Sequence, residues 1–450
     1  MTFDTVLVAN RGEIAVRVIR ACRTLGLRVV AVCSEADRGG AWLPAADDSI
    51  CIGPGRASES YLDVDALLLA AEVAGADAIH PGYGFLAENP AFAATVEQAG
   101  LTFIGPTSDV IRLMGDKISA KAAMRAAGVP CVPGSDGALP ADPARCAEIA
   151  SEVGYPVIVK AAGGGGGRGM RVVHDAGDLA AAIATTREEA FRAFGNAELY
   201  LEKFLELPRH IEIQVLCDSH GNAIWLGERD CSVQRRHQKL IEEAPAPGMP
   251  REAIAALGAR CVAACRAIGY RGVGTFEFLY ENGTFAFIEM NTRIQVEHTV
   301  TEQVTGIDIV REQLRAALGE RLSLTQQDVQ MEGHAIECRI NAEHGFEGRP
   351  SPGRLTEWHA PGGPGIRVDS HMRAGADVPP HYDSLIAKIV ASGRNRAECI
   401  DRMKAALAEL RVEGVAVNTA LHQRVLARPE FREGGVSIHF LERHLQRERV

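Results

Sequence analysis

The sequence predicts a chain of mixed class, α/β at its start and α+β beyond, built as three domains. Three observations carry that prediction. Strand and helix signals alternate through residues 1–115, as in a doubly wound domain. A β-branched strand then runs into five consecutive glycines at 163–167, and an aromatic hairpin at 274–289 leads into ten residues where carboxylate, carboxamide and guanidinium groups alternate.

The first domain opens with Val6-Leu7-Val8-Ala9 as a buried strand, helical spacing over 13–25 and a second strand over 28–33. Residues 66–74, 78–80 and 102–104 continue the alternation. No dinucleotide fingerprint is present, but Asn10-Arg11-Gly12-Glu13 falls at the carboxyl end of the first strand, where open α/β sheets hold ligands. A helix opens at Gly115-Asp116-Lys117, and Pro130 and Pro133 break the pattern before the glycines.

Five glycines in a row cost backbone entropy and fit a main chain that must approach phosphate oxygens closely. The run is not a P-loop, because G-x-x-x-x-G-K-[ST] is missing. Glycine alone would also suit a flexible linker. The apolar strands on either side, 155–159 and 170–173, argue for a hairpin-like lid, and Lys160 at the end of the first would reach a phosphate as a point charge. Residues 199–205 read as an apolar strand interrupted by an acid and a lysine, which by itself is an edge strand showing charge to water.

The hairpin turns at Asn282-Gly283. A two-residue loop sets Glu277 opposite Ile288 and puts Glu289 on the other face, whereas a three-residue loop through Thr284 sets Glu277 opposite Glu289. Two acids that close repel unless a cation lies between them. With Asn291 they make a hard oxygen set suited to Mg²⁺ or Mn²⁺ together with a polyphosphate. If the backbone stays extended, Glu289, Asn291, Arg293, Gln295 and Glu297 share one face, a wall that a hydrophobic core could not accept unpaired.

These residues carry a family resemblance. Over essentially all 450 residues the chain resembles the biotin carboxylases, the ATP-grasp component of biotin-dependent carboxylases. The matching motifs are Ala9-Asn10-Arg11-Gly12-Glu13-Ile14-Ala15, His80-Pro81-Gly82-Tyr83-Gly84-Phe85-Leu86, Met114-Gly115-Asp116-Lys117, the glycine lid, Glu228-Arg229-Asp230-Cys231-Ser232, Gln234-Arg235-Arg236-His237-Gln238-Lys239, Tyr382-Asp383-Ser384-Leu385-Ile386-Ala387-Lys388 and the stretch from Glu289 to His298. The resemblance implies an amino-terminal domain over 1–115 on the biotin side of the cleft, an ATP-grasp domain over 116–330 whose lid covers about 131–203, and a carboxyl-terminal domain over 331–450.

The same resemblance implies nucleotide contacts at Lys117, Lys160, Gly166, Gly167, Glu202, Lys203, Phe204, Leu205, His210, Gln234, His237, Glu277, Leu279 and Glu289. It implies metal ligation by Glu277, Glu289 and Asn291, bicarbonate binding by Lys239, Arg293, Gln295, Val296 and Glu297, and a biotin contact at Arg339. Without it, His210 would read as an ordinary core or surface histidine. Arg293, Glu297, Lys239 and Arg339 are the expected catalytic set: Glu297 as the base for bicarbonate, Arg339 as the stabiliser of the oxygen charge that develops on biotin. The cofactors expected are ATP, Mg²⁺ or Mn²⁺, and biotin. No Met-Lys-Met attachment sequence occurs, and Met403-Lys404-Ala405 lies in a helical pattern. A separate biotin carrier protein and separate carboxyltransferase subunits are therefore expected, with acetyl-CoA, another acyl-CoA or pyruvate as final acceptor, and a homodimer is implied.

Composition agrees. Apolar content of 46% and charged content of 24% are ordinary for a globular protein. A net charge of -10 disfavours nucleic acid or an anionic membrane as partner. Eleven cysteines, no signal pattern and no long apolar run point to reduced thiols in a cytoplasmic protein, with Cys261 and Cys265 one helical turn apart as core packing. Two positions depart from the family pattern: Thr299 replaces a usual proline, and the loop 344–349 differs. Another ATP-grasp ligase is the rival reading; a regulatory subunit without turnover would need a missing catalytic group, and none is missing.

Overall fold

The structure is a computed structural model that describes residues 3–163 and 169–447. The amino-terminal region is a parallel sheet of β1 (Thr5–Val8), β2 (Arg28–Cys33), β3 (Asp48–Cys51), β4 (Ala78–His80) and β5 (Thr102–Phe103), in the order β3-β2-β1-β4-β5. The inner strands β1, β2 and β4 are short and mostly apolar because both faces are covered, whereas the edge strand β3, Asp-Ser-Ile-Cys, is largely exposed; α1 (Gly12–Thr24) buries most of its length. Chain order reverses between β1 and β4. There Asn10 Nδ2 donates to the carbonyls of Pro81 (2.6 Å) and Tyr83 (2.8 Å), tying together the two loops that form the crevice.

A small lobe rises from residue 130 onward. β6 (Val157–Ala161), β7 (Met170–Val173) and β8 (Leu199–Lys203) form an antiparallel sheet in the order β7-β6-β8. It has its own apolar core, including Val157, Val159, Leu199 and Leu201. The lobe is stitched to the incoming chain by Ser135 N to Leu201 O and Lys203 N to Pro133 O, both 2.8 Å. Residues 164–168 lie outside the described part, and with them the expected contacts at Gly166 and Gly167.

Apart from three short two-stranded ladders in the carboxyl-terminal region, the remaining described strands form one antiparallel sheet of eight. β9 (Arg209–Cys217), β10 (Ala223–Arg235), β11 (Gln238–Ala244), β12 (Gly272–Glu281), β13 (Thr284–Asn291) and β14 (His334–Asn341) are followed by the strands Ile366–Ser370 and Leu385–Gly393. The spatial order is β13-β12-β9-β10-β11-β14, then Leu385–Gly393, then Ile366–Ser370. Central and carboxyl-terminal regions thus share a continuous sheet, joined where β11 pairs with β14 and Glu242 faces Glu337. The helix Arg251–Ala267 packs beneath it with Cys261 and Cys265 both in the core, and all eleven cysteines are unpaired. In the helix Arg396–Glu409, Met403 is buried and Lys404 exposed. No described helix is long and apolar enough to cross a membrane.

The hairpin β12–β13 resolves its register in a third way. Its turn has two residues, Asn282 and Gly283 at φ +50 and +82, with Glu281 opposite Thr284. Yet Glu277 faces Glu289. The ladder slips between Glu277 and Phe278, where Phe278 pairs with Phe287 and Ile288 is the extra residue of a β-bulge.

At the root of the lobe, a Cβ on Gly134 would lie 2.2 Å from the Leu201 carbonyl oxygen, a backbone atom that cannot step aside. Gly134→Ala is expected to cost about 1–3 kcal/mol of stability in urea unfolding, with the lobe opening first.

Candidate active site

Strand β9 reads His-Ile-Glu-Ile-Gln, so His210, Glu212 and Gln214 project from one face while isoleucines fill the other. Neighbouring strands add Arg229, Lys239, Glu277 and Arg339 to the same region. All are buried or nearly so, and each charge must then find a partner.

Lys239 is the centre. Its ammonium donates to Glu277 Oε1 and Glu297 Oε1, both at 2.8 Å, and to Glu212 Oε1. Burial pulls this lysine down, but the three carboxylates outweigh it and hold the ammonium well above its ordinary value. Glu277 also accepts from Asn291 Nδ2 and Gln295 Nε2, each at 2.7 Å, and its second oxygen lies 3.0 Å from His210 Nε2. Burial would raise Glu277; Lys239 and His210 overcome it and bring it to about 2. His210 moves the other way. Burial lowers it, while Glu277 and Glu212 lift it to about 9; its Nδ1 lies 2.9 Å from Gln234 Nε2, which also donates to the Cys231 carbonyl at 2.9 Å.

On the lobe side, Lys117 donates to Glu289 Oε2 and Lys160 to Glu202 Oε2, both at 2.6 Å. Phe204, Leu205, Leu279 and Ile288 give an apolar slot beside these charges, with His237 at the rim. Lys203 lines the slot but spends its ammonium on the carbonyls of Gly154 (2.9 Å) and Tyr155 (2.8 Å).

Beyond Asn291 the chain leaves the sheet, which corrects the reading of 289–297 as one extended wall. Residues 292–297 turn to start the helix His298–Thr305, with Glu297 at its amino end. The segment still faces the cavity, because its side chains are fixed from outside. Arg293 is held by Glu88 (2.8 Å) and Asn291 (2.6 Å), Gln295 is gripped by Arg229, and Glu297 accepts from Lys239 and from Arg339 at 3.0 Å. Burial would raise Glu297, but Lys239 and Arg339 keep it below the usual carboxylate range. Glu242, bonded to Arg339 Nε, is instead pushed up to about 7 by burial and by Glu297.

One cavity of about 510 Å³ gathers Lys117, Lys160, Glu202, Lys203, Phe204, Leu205, His210, Gln234, His237, Lys239, Glu277, Leu279, Glu289, Asn291, Arg293, Gln295, Val296, Glu297 and Arg339. Of the residues expected from sequence, only Gly166 and Gly167 are undescribed. A second cavity of about 340 Å³ adjoins it between the amino- and carboxyl-terminal regions, sharing Arg293, Val296 and Arg339 as its wall. The expectations omitted Glu212, Arg229, Glu242, Glu88 and Lys121, which pairs with Glu202. Glu212 had a signal, the polar alternation on an otherwise apolar β9; Arg229 stands opposite Glu212 on the neighbouring strand, whereas Glu242 meets Arg339 across the β11–β14 seam, 97 residues away in sequence.

A three-stranded lobe and an antiparallel sheet, with Lys160 of the lobe, Lys117 just before it and the acids of the sheet lining one cleft, is the architecture of an ATP-grasp ligase. Profiles for the biotin carboxylase N-terminal domain, the carbamoyl-phosphate synthase L chain ATP-binding domain and the biotin carboxylase C-terminal domain match residues 2–111, 116–325 and 337–443. A biotin carboxylase of Pseudomonas aeruginosa is 61% identical over 98% of each chain. Among solved structures, a Campylobacter jejuni biotin carboxylase in complex with β,γ-ATP superposes with a TM-score of 0.95 at 48% identity, covering 98% of this chain and 99% of that one. The biotin carboxylase domain dimer of Hydrogenobacter thermophilus 2-oxoglutarate carboxylase, with MgADP and bicarbonate, does so at 0.94 and 47% identity, covering 99% and 98%. The chain belongs to the biotin carboxylase family.

Raised from 6.5 to about 9, His210 contributes stability that is fully present below pH 6.5 and lost as pH climbs through 9. Urea unfolding at stepped pH should show wild type losing up to about 3 kcal/mol more than His210→Gln across that window.

Proposed function

We propose that the chain carboxylates biotin held on a separate carrier protein, using ATP and bicarbonate by way of carboxyphosphate. The observation that supports this most is the meeting at Lys239 of two differently charged ends: lysines 117 and 160 with an apolar slot on one side, Arg293 and Arg339 around Glu297 on the other. A polyphosphate with its purine suits the first end, a small oxyanion the second. The paired oxygens of Glu277 and Glu289, with the Asn291 carboxamide two residues on, fit a hard divalent cation. Mg²⁺ or Mn²⁺ held by Glu277, Glu289 and Asn291 would supply charge neutralisation at the nucleotide phosphates.

The cations are paired with acids, Lys117 with Glu289 and Lys160 with Glu202. Phosphate oxygens give those ammonium groups a better partner. Bicarbonate does the same for Arg293 and Lys239, and this has a consequence for Glu297: as its cationic neighbours turn to the anion, its proton affinity rises toward what a base needs. The deprotonated bicarbonate oxygen then attacks the γ-phosphorus, ADP leaves, and carboxyphosphate forms. Its breakdown gives CO₂ and phosphate in a site closed by the lobe, where water is excluded. Arg339 donates to the biotin ureido oxygen as the neighbouring nitrogen gives its proton to the phosphate just released and attacks CO₂.

In this reading residues 1–115 bear the biotin side, 116–330 the nucleotide and lid, and 331–450 Arg339, in a homodimeric cytoplasmic enzyme. A biotin carrier protein delivers the substrate and carboxyltransferase subunits consume the product, an acyl-CoA such as acetyl-CoA or pyruvate being the acceptor.

Phosphate release measured with bicarbonate and biotin omitted in turn should depend on bicarbonate; release indifferent to it points to another ATP-grasp ligase. Glu297→Gln should keep ATP affinity and lose about 10²–10⁴-fold in turnover, and unchanged turnover removes the base assignment. Arg339→Ser should spare bicarbonate-dependent ATP cleavage more than biotin carboxylation.

A further inference from the structure

Two sequence motifs have no role in the chemistry above, Asn10-Arg11-Gly12-Glu13 and the segment from Tyr382 to Lys388. They meet in the second cavity. The Arg11 guanidinium lies 4.3 Å from the Tyr382 ring centre, and Lys388, fully buried, has its ammonium 3.3 Å from Glu13 Oε1. The same Glu13 oxygen accepts from the Tyr83 hydroxyl. Its other oxygen is buried and has no hydrogen-bond partner among the described residues, although Glu13 lines the cavity.

Lys388 faces the other way as well. Its ammonium donates to the Val296 carbonyl at 2.7 Å, and it stands directly opposite Arg339 in the sheet. Val296 is flanked by the segment that carries Arg293 and Glu297, and it forms part of the wall shared by the two cavities. Three regions far apart in sequence are thereby linked through one buried ion pair: Glu13 from α1, Lys388 from the strand Leu385–Gly393, and the Val296 main chain. Glu337 and Asp369 add to the field that keeps the ammonium charged, but only the Val296 carbonyl and Glu13 contact it, and a fully buried lysine is costly unless the geometry it fixes is needed.

We propose that Glu13 and Lys388 are a positioning pair that couples occupancy of the second cavity to the orientation of the 293–297 segment. The proposal rests on the functional reading above, the second cavity receiving the biotin ring. A ligand touching Tyr83 or the free Glu13 oxygen alters the pull on Lys388. Lys388 in turn sets where the Val296 carbonyl, and with it Glu297, stands relative to Lys239 and Arg339.

Four variants of the full-length protein test this, with free biotin as probe. Lys388→Met should raise KM for bicarbonate about tenfold while ADP affinity, read by calorimetry, stays within about twofold, and Lys388→Arg should recover most of the loss. Glu13→Gln should raise KM for bicarbonate in the same direction as Lys388→Met, and both Glu13→Gln and Tyr83→Phe should lose the stimulation of phosphate release by biotin. Stimulation retained in both, or ADP affinity falling in step with KM for bicarbonate, overturns the coupling. Hydrogen exchange reads the anchor without turnover: amides of 293–298 should exchange about tenfold faster in Lys388→Met than in wild type, with Lys388→Arg returning most of the protection. Exchange in Lys388→Met no faster than in wild type overturns the anchor. Wild-type phosphate release that ignores bicarbonate sinks the functional reading while leaving the exchange result to stand on its own.

Discussion

The site depends on charge balance in a place where water cannot provide it. Lys239 touches three buried carboxylates, Arg229 reaches Glu212, and Arg339 spans Glu242 and Glu297. Removing one member of such a set leaves its partner uncompensated, at a cost of about 3–5 kcal/mol. Apolar residues of the same volume would make a more stable protein. In the proposed reaction the pairs that line the cavity, those of Lys239 and Arg339, are exchanged for substrate contacts of the same sign, with little new desolvation.

Positioning that lattice takes a sheet that ignores domain limits. Glu212, Glu277, Lys239 and Arg339 belong to β9, β12, β11 and β14, and only the β11–β14 seam puts Arg339 within reach of Glu297. The bulge at Ile288 has a comparable effect on a smaller scale. It lets a tight two-residue turn coexist with opposed acids, which a regular ladder would not allow.

Much of this was legible in the sequence, for identifiable reasons. Alternation of short apolar strands with helices marked the amino-terminal sheet, and polar residues crowded into 289–297 marked the site. The bulge was not legible, because pairing partners decide which residue is left out. The extended reading of 289–297 failed because the chain turns after Asn291 to begin a helix, a tertiary choice that local alternation cannot reveal. Arg229 stood in a matching motif without a role, and Glu242 went unnoticed, since a charged residue in a strand looks the same whether it meets solvent or a buried counterion.

The departure at Thr299 illustrates how such a lattice tolerates change. Thr299 lies in the first turn of the helix His298–Thr305, fully buried, and its hydroxyl shares a hydrogen bond with Glu337. Burial, with Glu242 adding, lifts Glu337 to about 8, so at neutral pH this acid is mostly protonated and can pair with a hydroxyl without a counterion. A proline there has no group to offer it. The threonine therefore satisfies a neutral acid next to Lys388 and leaves the ion pairs of Glu297 and Arg339 untouched. In the loop 344–349, Arg235 binds Glu343 and the Gly345 carbonyl, so this second departure is also fixed from the sheet and stays clear of the acids at Lys239.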